Sequence, residues 1–459
     1  LGKEYPELDV IYYNKESKLL QLKTPLEDRV RLKKEIKEKF KDLNYDLLIW
    51  DEVIFTSPNR YNQYNDPVFR DANKRWYFDA INMQEAWKIT KGEKDIIIAI
   101  VDDGFDINHE DLKDNYFNPY NVYTQDSELT SPWVKIIKGN EVGLGFHGTH
   151  VAGTAAAQIN NNIGTSGIAP NCRLMPIQVG SPSNGSMGMT GIIEGILYAI
   201  NNGANVINLS LGKNFIGSPI LNMSESEHKE IINNQNLDEE QFWIEVFEMA
   251  NEENITLVLA AGNDNILAGI DAMSRSVFTI NVASVDDKLR KSDFSNYSDI
   301  HTIVSAPGGD LGSGKDIYNC APNNDYVDMS GTSMAAPIIT GVVALMKSVN
   351  PNLTNKHIKD IFQTTGIKLN GNIGPLVQVD KAIKEAMTLL VKEAEEDEDL
   401  DEVDININND DINEEVENDD NKEGNPEKDT TEEFYFFLLI TIAILLLVLT
   451  LRFTFFRNK

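Results

Sequence analysis

Six short apolar runs, near residues 95–101, 174–179, 204–210, 256–261, 278–284 and 301–306, punctuate the middle of the chain. They are of strand length and rich in β-branched residues. They lack the apolar–polar alternation of a half-exposed strand, which is how strands buried on both faces read. Between them lie stretches of helical length near 148–158, 189–202, 241–253 and 333–349. This alternation predicts an α/β domain in three layers, a mostly parallel sheet between helices on both faces. Two further helices are expected to close it, one capped by Thr354 and running to Thr364, the other over about 377–392.

The flanks read differently. Before residue 60 the chain is Lys/Glu-rich, with an amphipathic stretch from Val30 to Phe40 and a strand-like one from Leu47 to Phe55. From Glu393 to Glu433 there are 21 acidic residues against Lys422 and Lys428, so 19 of the 31 net negative charges sit in this segment. A like-charge run of this kind buries no core and is expected to be a disordered linker, residues 393–433. The negative balance is therefore a linker property, and it argues against a nucleic-acid partner. Phe434 to Leu451 is 18 residues without a charge, about 27 Å as a helix and close to the thickness of a lipid bilayer core. Arg452, Arg457 and Lys459 follow in a short basic tail, residues 452–459. Together they predict a single-pass transmembrane helix, residues 434–451, with the C-terminus cytoplasmic and the folded domain on the extracytoplasmic side. Such a topology needs an export signal, expected to have been removed ahead of Leu1 or to lie beyond it. Two cysteines, Cys172 and Cys320, are too few for a disulfide framework.

Candidate chemistry sits at the ends of these elements. The first run ends in Asp102-Asp103-Gly104, at the carboxyl end of a strand, where open α/β sheets bind their ligands. Gly145 to Thr154 opens a small-residue helix carrying His147 and His150. The run Gly331-Thr332-Ser333-Met334-Ala335-Ala336-Pro337 puts Ser333 at the start of a buried helix, where backbone N–H groups favour developing negative charge. Leu257 to Asn263 is a strand ending in an amide side chain. A serine hydroxyl becomes a nucleophile when an imidazole takes its proton and a carboxylate holds that imidazole, and the order Asp, His, Ser is one in which this triad occurs. An amide donor can hold the oxyanion. Alone, an Asp-Gly after a strand is a turn and an Ala-Gly-Asn a loop; four such blocks in order are not.

Around Asp102, His147, Asn263 and Ser333 the sequence resembles the subtilisin-like serine peptidases, the subtilases, over residues 65 to 390. The resemblance implies a serine endopeptidase that cleaves polypeptides through an acyl-enzyme, and the apolar segment 434–451 would make it a membrane-anchored one. Asp102 would orient, His147 act as base then acid, Ser333 attack and Asn263 hold the oxyanion, while His150 packs on the inner face of its helix. Ser210, Leu211 and Gly212 would lend their backbone to an extended substrate, with Ser186 on the opposite wall. Met189 and Ile192 line a deeper pocket or belong to the core. A Tyr/Pro-rich pocket segment common in the family is missing after Asn263, which leaves Gly269 and Ala272 as candidates for a pocket wall. The acidic insertion after Gly212, with Glu225, Glu227, Glu230, Asp238, Glu239 and Glu240, reads as a solvated loop or as a rim charge steering basic substrates; His228 within it is expected to be exposed. The resemblance also implies structural calcium, held by the side chains of Asp111 and Asn161 and the carbonyls of Ile159, Ile163 and Thr165. Residues 1–60 resemble the late part of a propeptide, an intramolecular inhibitor removed by autoprocessing between Phe55 and Asn73, which makes the chain a zymogen. The alternative is a non-catalytic subtilase-fold binding module in a membrane assembly.

Overall fold

The computed structural model describes residues 9–14, 19–23, 29–39, 63–129, 134–137, 140–143, 146–182, 185–213, 215–234, 237–311 and 315–404. Its centre is a seven-stranded sheet, numbered here along the chain: β1 (Ile97–Asp102), β2 (Tyr120–Asn121), β3 (Arg173–Gln178), β4 (Val206–Leu209), β5 (Thr256–Ala260), β6 (Thr279–Val285) and β7 (Val304–Pro307). The spatial order is β7-β6-β5-β4-β1-β3-β2, and every neighbouring pair is parallel. Six of these strands fall on the six apolar runs. The seventh, β2, is two residues long at the sheet edge, too short to leave a period in the sequence.

Side-chain alternation explains why the runs are continuous. Ile98, Ile100, Val206, Val258, Ile280 and Val282 pack on one face with the helix Thr332–Val349. Ala99, Val101, Ile207, Leu209, Leu257 and Leu259 pack on the other with the helices Met189–Asn201 and Leu237–Glu252. Both faces are covered, so neither set can be polar. Each buried Ile, Leu or Val contributes about 1.5–3 kcal/mol relative to exposure. Among the described residues, Thr332–Val349 alone is long and apolar enough to cross a membrane, and it is instead the buried central helix of the domain. The helix Asn355–Thr365 begins at the expected cap: Thr354 Oγ1 accepts from His357 N–H at 3.2 Å, and His357 Nδ1 from Thr354 N–H.

Some elements differ from the sequence reading. The acidic insertion is helical, Glu225–Asn234 followed by Leu237–Glu252, with Glu225, Glu227, Asp238, Glu239 and Glu240 in the first turns, where the helix dipole favours them. Trp243, Val246, Phe247 and Ala250 anchor the second helix to the sheet. His228 is buried, not exposed, and its Nε2 meets the Ile220 carbonyl at 2.8 Å. A hairpin, Ile317–Ala321 with Asp325–Met329, turns through Asn323 and Asn324, both at positive φ. Cys172 and Cys320 are buried and free.

One compact unit comprises Leu1–Glu395. Its N-terminal part contains the antiparallel pair Asp9–Asn14 and Leu19–Lys23, then the helix Arg29–Lys39 on the expected amphipathic stretch. The last described helix, Val379–Asp404, runs past Glu393, where the sequence reading begins the linker. The strand-like stretch 47–55, the remainder of the acidic segment, the apolar segment 434–451 and the basic tail 452–459 lie outside the described residues.

Candidate active site

β1 is the strand at which the sheet order turns: its neighbours are β3 and β4, and the chain leaves it on both sides. Its last residue, Asp102, is fully buried. Asp102 Oδ1 accepts from His147 Nδ1 at 2.7 Å and from the Asp103 N–H at 2.7 Å. His147 is the second residue of the helix Phe146–Ala156, and the next residue has to be glycine. A Cβ on Gly148 would lie 2.3 Å from the Gly104 carbonyl and 3.1 Å from Asp102 Cβ. That close approach brings imidazole and carboxylate together, and Asp103 Oδ1 secures it by accepting the Gly148 N–H at 2.9 Å. Burial pushes the His147 pKa down, but Asp102, as charge and hydrogen-bond partner, and Asp103 outweigh it and raise it to about 9. His150 lies on the inner face, fully buried, with Nε2 2.9 Å from the Ile317 carbonyl. Burial lowers its pKa to about 4, so it stays neutral.

Ser333 is the second residue of Thr332–Val349, in the first turn, whose N–H groups have no intrahelical partner. Among the described residues, its own N–H makes no hydrogen bond. Asn263 follows β5 and is fixed through its oxygen, which accepts from the Thr332 N–H at 2.8 Å and the Thr332 hydroxyl at 2.9 Å. Its Nδ2 is thereby left as a free donor among the described residues. The Ser333 hydroxyl donates to the Ser210 carbonyl at 3.3 Å. In return the Ser210 hydroxyl donates to the Ser333 carbonyl at 2.9 Å. The string continues inward: Asn208 Nδ2 reaches Ser210 Oγ at 2.9 Å, and Thr340 Oγ1 reaches Asn208 Oδ1 at 2.8 Å.

A cavity of about 320 Å³ opens beside these groups, walled by Leu211, Gly212, Ala260 and Gly262 and bordered by Asn263 and Ser333. Among the described residues, the backbone groups of Leu211 and Gly212 form no hydrogen bonds, so the chain beyond β4 offers an open edge there. Ser186 and Met189 are exposed, Met189 at 47%, which removes it from the core, and neither lines this cavity. Ile192 is buried in the core. Gly269 lies in the short turn Ala268–Ile270, where a Cβ would meet His301 at 2.7 Å, and Ala272 is buried under the Leu237–Glu252 helix; neither lines this cavity. Asp264 and Lys213 do line it, and sequence reading had singled out neither.

Comparison with known proteins decides the family. A profile of the subtilase family matches residues 93–389. The chain belongs to the subtilase family of serine peptidases. It is 32% identical over 310 residues to thermitase from Thermoactinomyces vulgaris, covering 67% of this chain and 92% of that protein. To a thermophilic serine proteinase from a Bacillus species it is 33% identical over 286 residues, 62% of this chain and 60% of the relative. The match thus spans about three fifths of that relative's length. A solved protease structure from Pseudoalteromonas arctica superposes with a TM-score of 0.57 at 26% identity, covering 70% of this chain and 99% of that one.

The subtilase domain has a second polar focus in the loop after the helix Phe146–Ala156. Asn160 and Asn162 take positive φ, as does Gly164. Asp66, fully buried, accepts the N–H groups of Asn160, Asn161 and Asn162 at 2.8–3.1 Å. Asp111, also fully buried, accepts from Asn161 Nδ2 at 2.6 Å, the Thr165 N–H at 3.1 Å and the Tyr326 hydroxyl at 3.2 Å. Burial, with Asp66 adding to it, raises the Asp111 pKa to about 7 against those hydrogen bonds. Neither carboxylate has a cationic partner among the described residues. No hydrogen bond reaches the carbonyls of Ile159, Ile163 or Thr165 among the described residues. Those residues hold no cluster of three or more His, Cys, Asp or Glu side chains suited to a metal. Asn161 Oδ1 accepts the Ile163 N–H at 3.1 Å, so the oxygens left open here are those of backbone carbonyls beside the Asp111 carboxylate, ligands of the kind a hard cation takes.

Proposed function

We propose that the protein is a serine endopeptidase that cleaves polypeptides through an acyl-enzyme. The observation that carries this reading is the 2.7 Å bond between His147 Nδ1 and Asp102 Oδ1. It fixes the tautomer that leaves Nε2 as the basic nitrogen. The Ser333 hydroxyl turns from the Ser210 carbonyl toward His147, gives its proton to Nε2 and bonds to the substrate carbonyl carbon. The displaced electron pair goes to the carbonyl oxygen, held by the Ser333 N–H and Asn263 Nδ2. Collapse of the intermediate expels the amine, which takes the proton from His147. Water then attacks the ester by the same route in reverse order, releasing the acid and free Ser333. The Leu211 and Gly212 backbone, without hydrogen bonds among the described residues, and the adjoining Ser210 suit an extended peptide bound by its main chain, with Ser186 and Met189 as its proposed opposite wall.

The test is a fluorophosphonate probe on the full chain, read by intact mass, for the wild type and Ser333→Ala. The expected result is one adduct that requires Ser333. A folded chain that has lost its N-terminal segment and still takes no adduct overturns the reading.

Three further assignments belong to this proposal. Calcium would be held by Asp111, Asn161, Asp66 and the carbonyls of Ile159, Ile163 and Thr165, where it supplies a structural cross-link. The N-terminal segment, residues 1–60, acts as the intramolecular inhibitor. Residues 434–451 anchor the enzyme in a bilayer with its peptidase domain on the extracytoplasmic side, supported by their apolar composition and the basic tail. Protease protection of an epitope placed at each end of sealed vesicles tests that topology.

A further inference from the structure

The cavity beside Ser333 has an unbalanced charge. Asp264 lines it, partly exposed. Its backbone N–H is tied to Asn296 Oδ1 at 2.9 Å, which fixes the residue in place. Its carboxylate has neither a hydrogen bond nor an ion pair among the described residues, and burial alone raises its pKa, with no cation opposing. Lys213 also lines the cavity, but its ammonium is already taken: Nζ lies 2.6 Å from Glu239 Oε1. Behind the Lys213 backbone sits a second carboxylate. Asp271 Oδ2 accepts the Lys213 N–H at 2.8 Å, and a Cβ on Gly212 would stand 3.2 Å from it. Asp271 is buried and forms no ion pair among the described residues. The nearby Arg275 is paired with Glu240 at 2.8 Å. Of the two charged residues that line the opening, Lys213 is therefore neutralised by Glu239, and the Asp264 carboxylate stands without a cation among the described residues.

A peptide carbonyl placed between the Ser333 hydroxyl and the donors Ser333 N–H and Asn263 Nδ2 starts its own side chain next to those residues. The opening that shares both of them is this cavity. Its walls of Leu211, Ala260 and glycine backbone suit an aliphatic stem, and the free carboxylate suits a cationic head. We propose that the cavity selects lysine or arginine as the residue whose carbonyl is attacked, and that Asp264 is the specificity-determining side chain. This rests on the endopeptidase reading and names its substrate class. A carboxylate in the same place would meet the uncompensated Asp264 charge, and a large aromatic side chain would forgo the contact with it.

The experiment uses the full chain, with active sites counted by fluorophosphonate titration. Peptide substrates that differ only at the residue before the cleaved bond (Arg, Lys, Leu, Phe or Glu) are compared by kcat/KM per titrated site. The expected order is Arg and Lys above Leu and Phe, with Glu last. In Asp264→Asn the Arg-to-Leu ratio falls about tenfold, the equivalent of one modest charge contact, and in Asp264→Lys it falls further. Normal titration with Leu or Phe preferred, or with an Arg-to-Leu ratio indifferent to Asp264→Asn, overturns this inference and leaves the peptidase reading standing. Failure to titrate, with no peptide cleaved, removes both.

Discussion

Pro337 stands four residues after Ser333 and has no N–H to donate to the Ser333 carbonyl, so that carbonyl accepts the Ser210 hydroxyl at 2.9 Å instead. A proline inside a helix is ordinarily a defect that removes one ladder bond. Here the vacated acceptor ties the nucleophile's backbone to the chain that follows β4, the edge proposed to carry substrate. Pro337→Ala restores the helical donor and puts it in competition with Ser210. We expect kcat on a peptide substrate to fall about tenfold. The thermal midpoint should hold or rise, because alanine is the better helix former. Stopped kinetics and calorimetry on the same preparation check the two together.

Removal of the Asn263 amide tests the oxyanion assignment. Asn263→Leu takes away one free donor and is expected to cost about 10²–10³-fold in kcat. KM should move little. Thr332→Val, which keeps the amide but frees its oxygen of one of two hydrogen bonds, should cost less, because the Thr332 N–H still holds Asn263 in place.

The pH profile follows from the charges around His147. Only neutral imidazole can take the Ser333 proton, and the His147 pKa stands near 9. kcat/KM should therefore climb through the neutral range and reach half its plateau near pH 9. Asp103→Asn keeps an acceptor for the Gly148 N–H but removes one negative charge, so the half-point should move to lower pH. An unchanged half-point would show that Asp103 exerts no effect on the base.

Calcium dependence has a crossing signature. With calcium about a hundredfold above its dissociation constant, the folded state gains about 2.7 kcal/mol. In chelator, Asp111→Asn should be at least as stable as the wild type, since it relieves a buried charge beside Asp66. In calcium it should be less stable. Scanning calorimetry of both proteins in both buffers settles the sign, and a mutant that stays parallel to the wild type refutes the site.

Sequence alone carried six of the seven strands and their parallel arrangement because strands buried on both faces are largely apolar. It carried the blocks proposed as catalytic because Asp102, His147, Asn263 and Ser333 lie at element ends within small-residue stretches. It did not carry features that leave neither a hydrophobic period nor a motif in the chain. Ile317–Ala321 and Asp325–Met329 form a hairpin of mixed polarity that leaves no clear period. His228 reads as surface because its neighbours are acidic, yet the Ile220 carbonyl gives it a buried partner. Asp264 follows the Asn263 motif and looks like an ordinary loop residue until the cavity beside it is seen. Asp66 lies 94 residues from the Asn160 amide it accepts, and nothing local marks that contact.

Asp66 gathers three successive amides of one loop into a single grip. A polypeptide severed just ahead of Asn65 would create a loose end, and that grip would hold it a few residues downstream of the break. Cutting and letting go thus become two events instead of one. The newly made terminus would stay moored, and under the proposed inhibitor reading whatever lies upstream would depart at its own pace, on a clock set by its hold on the enzyme and not by the cut itself.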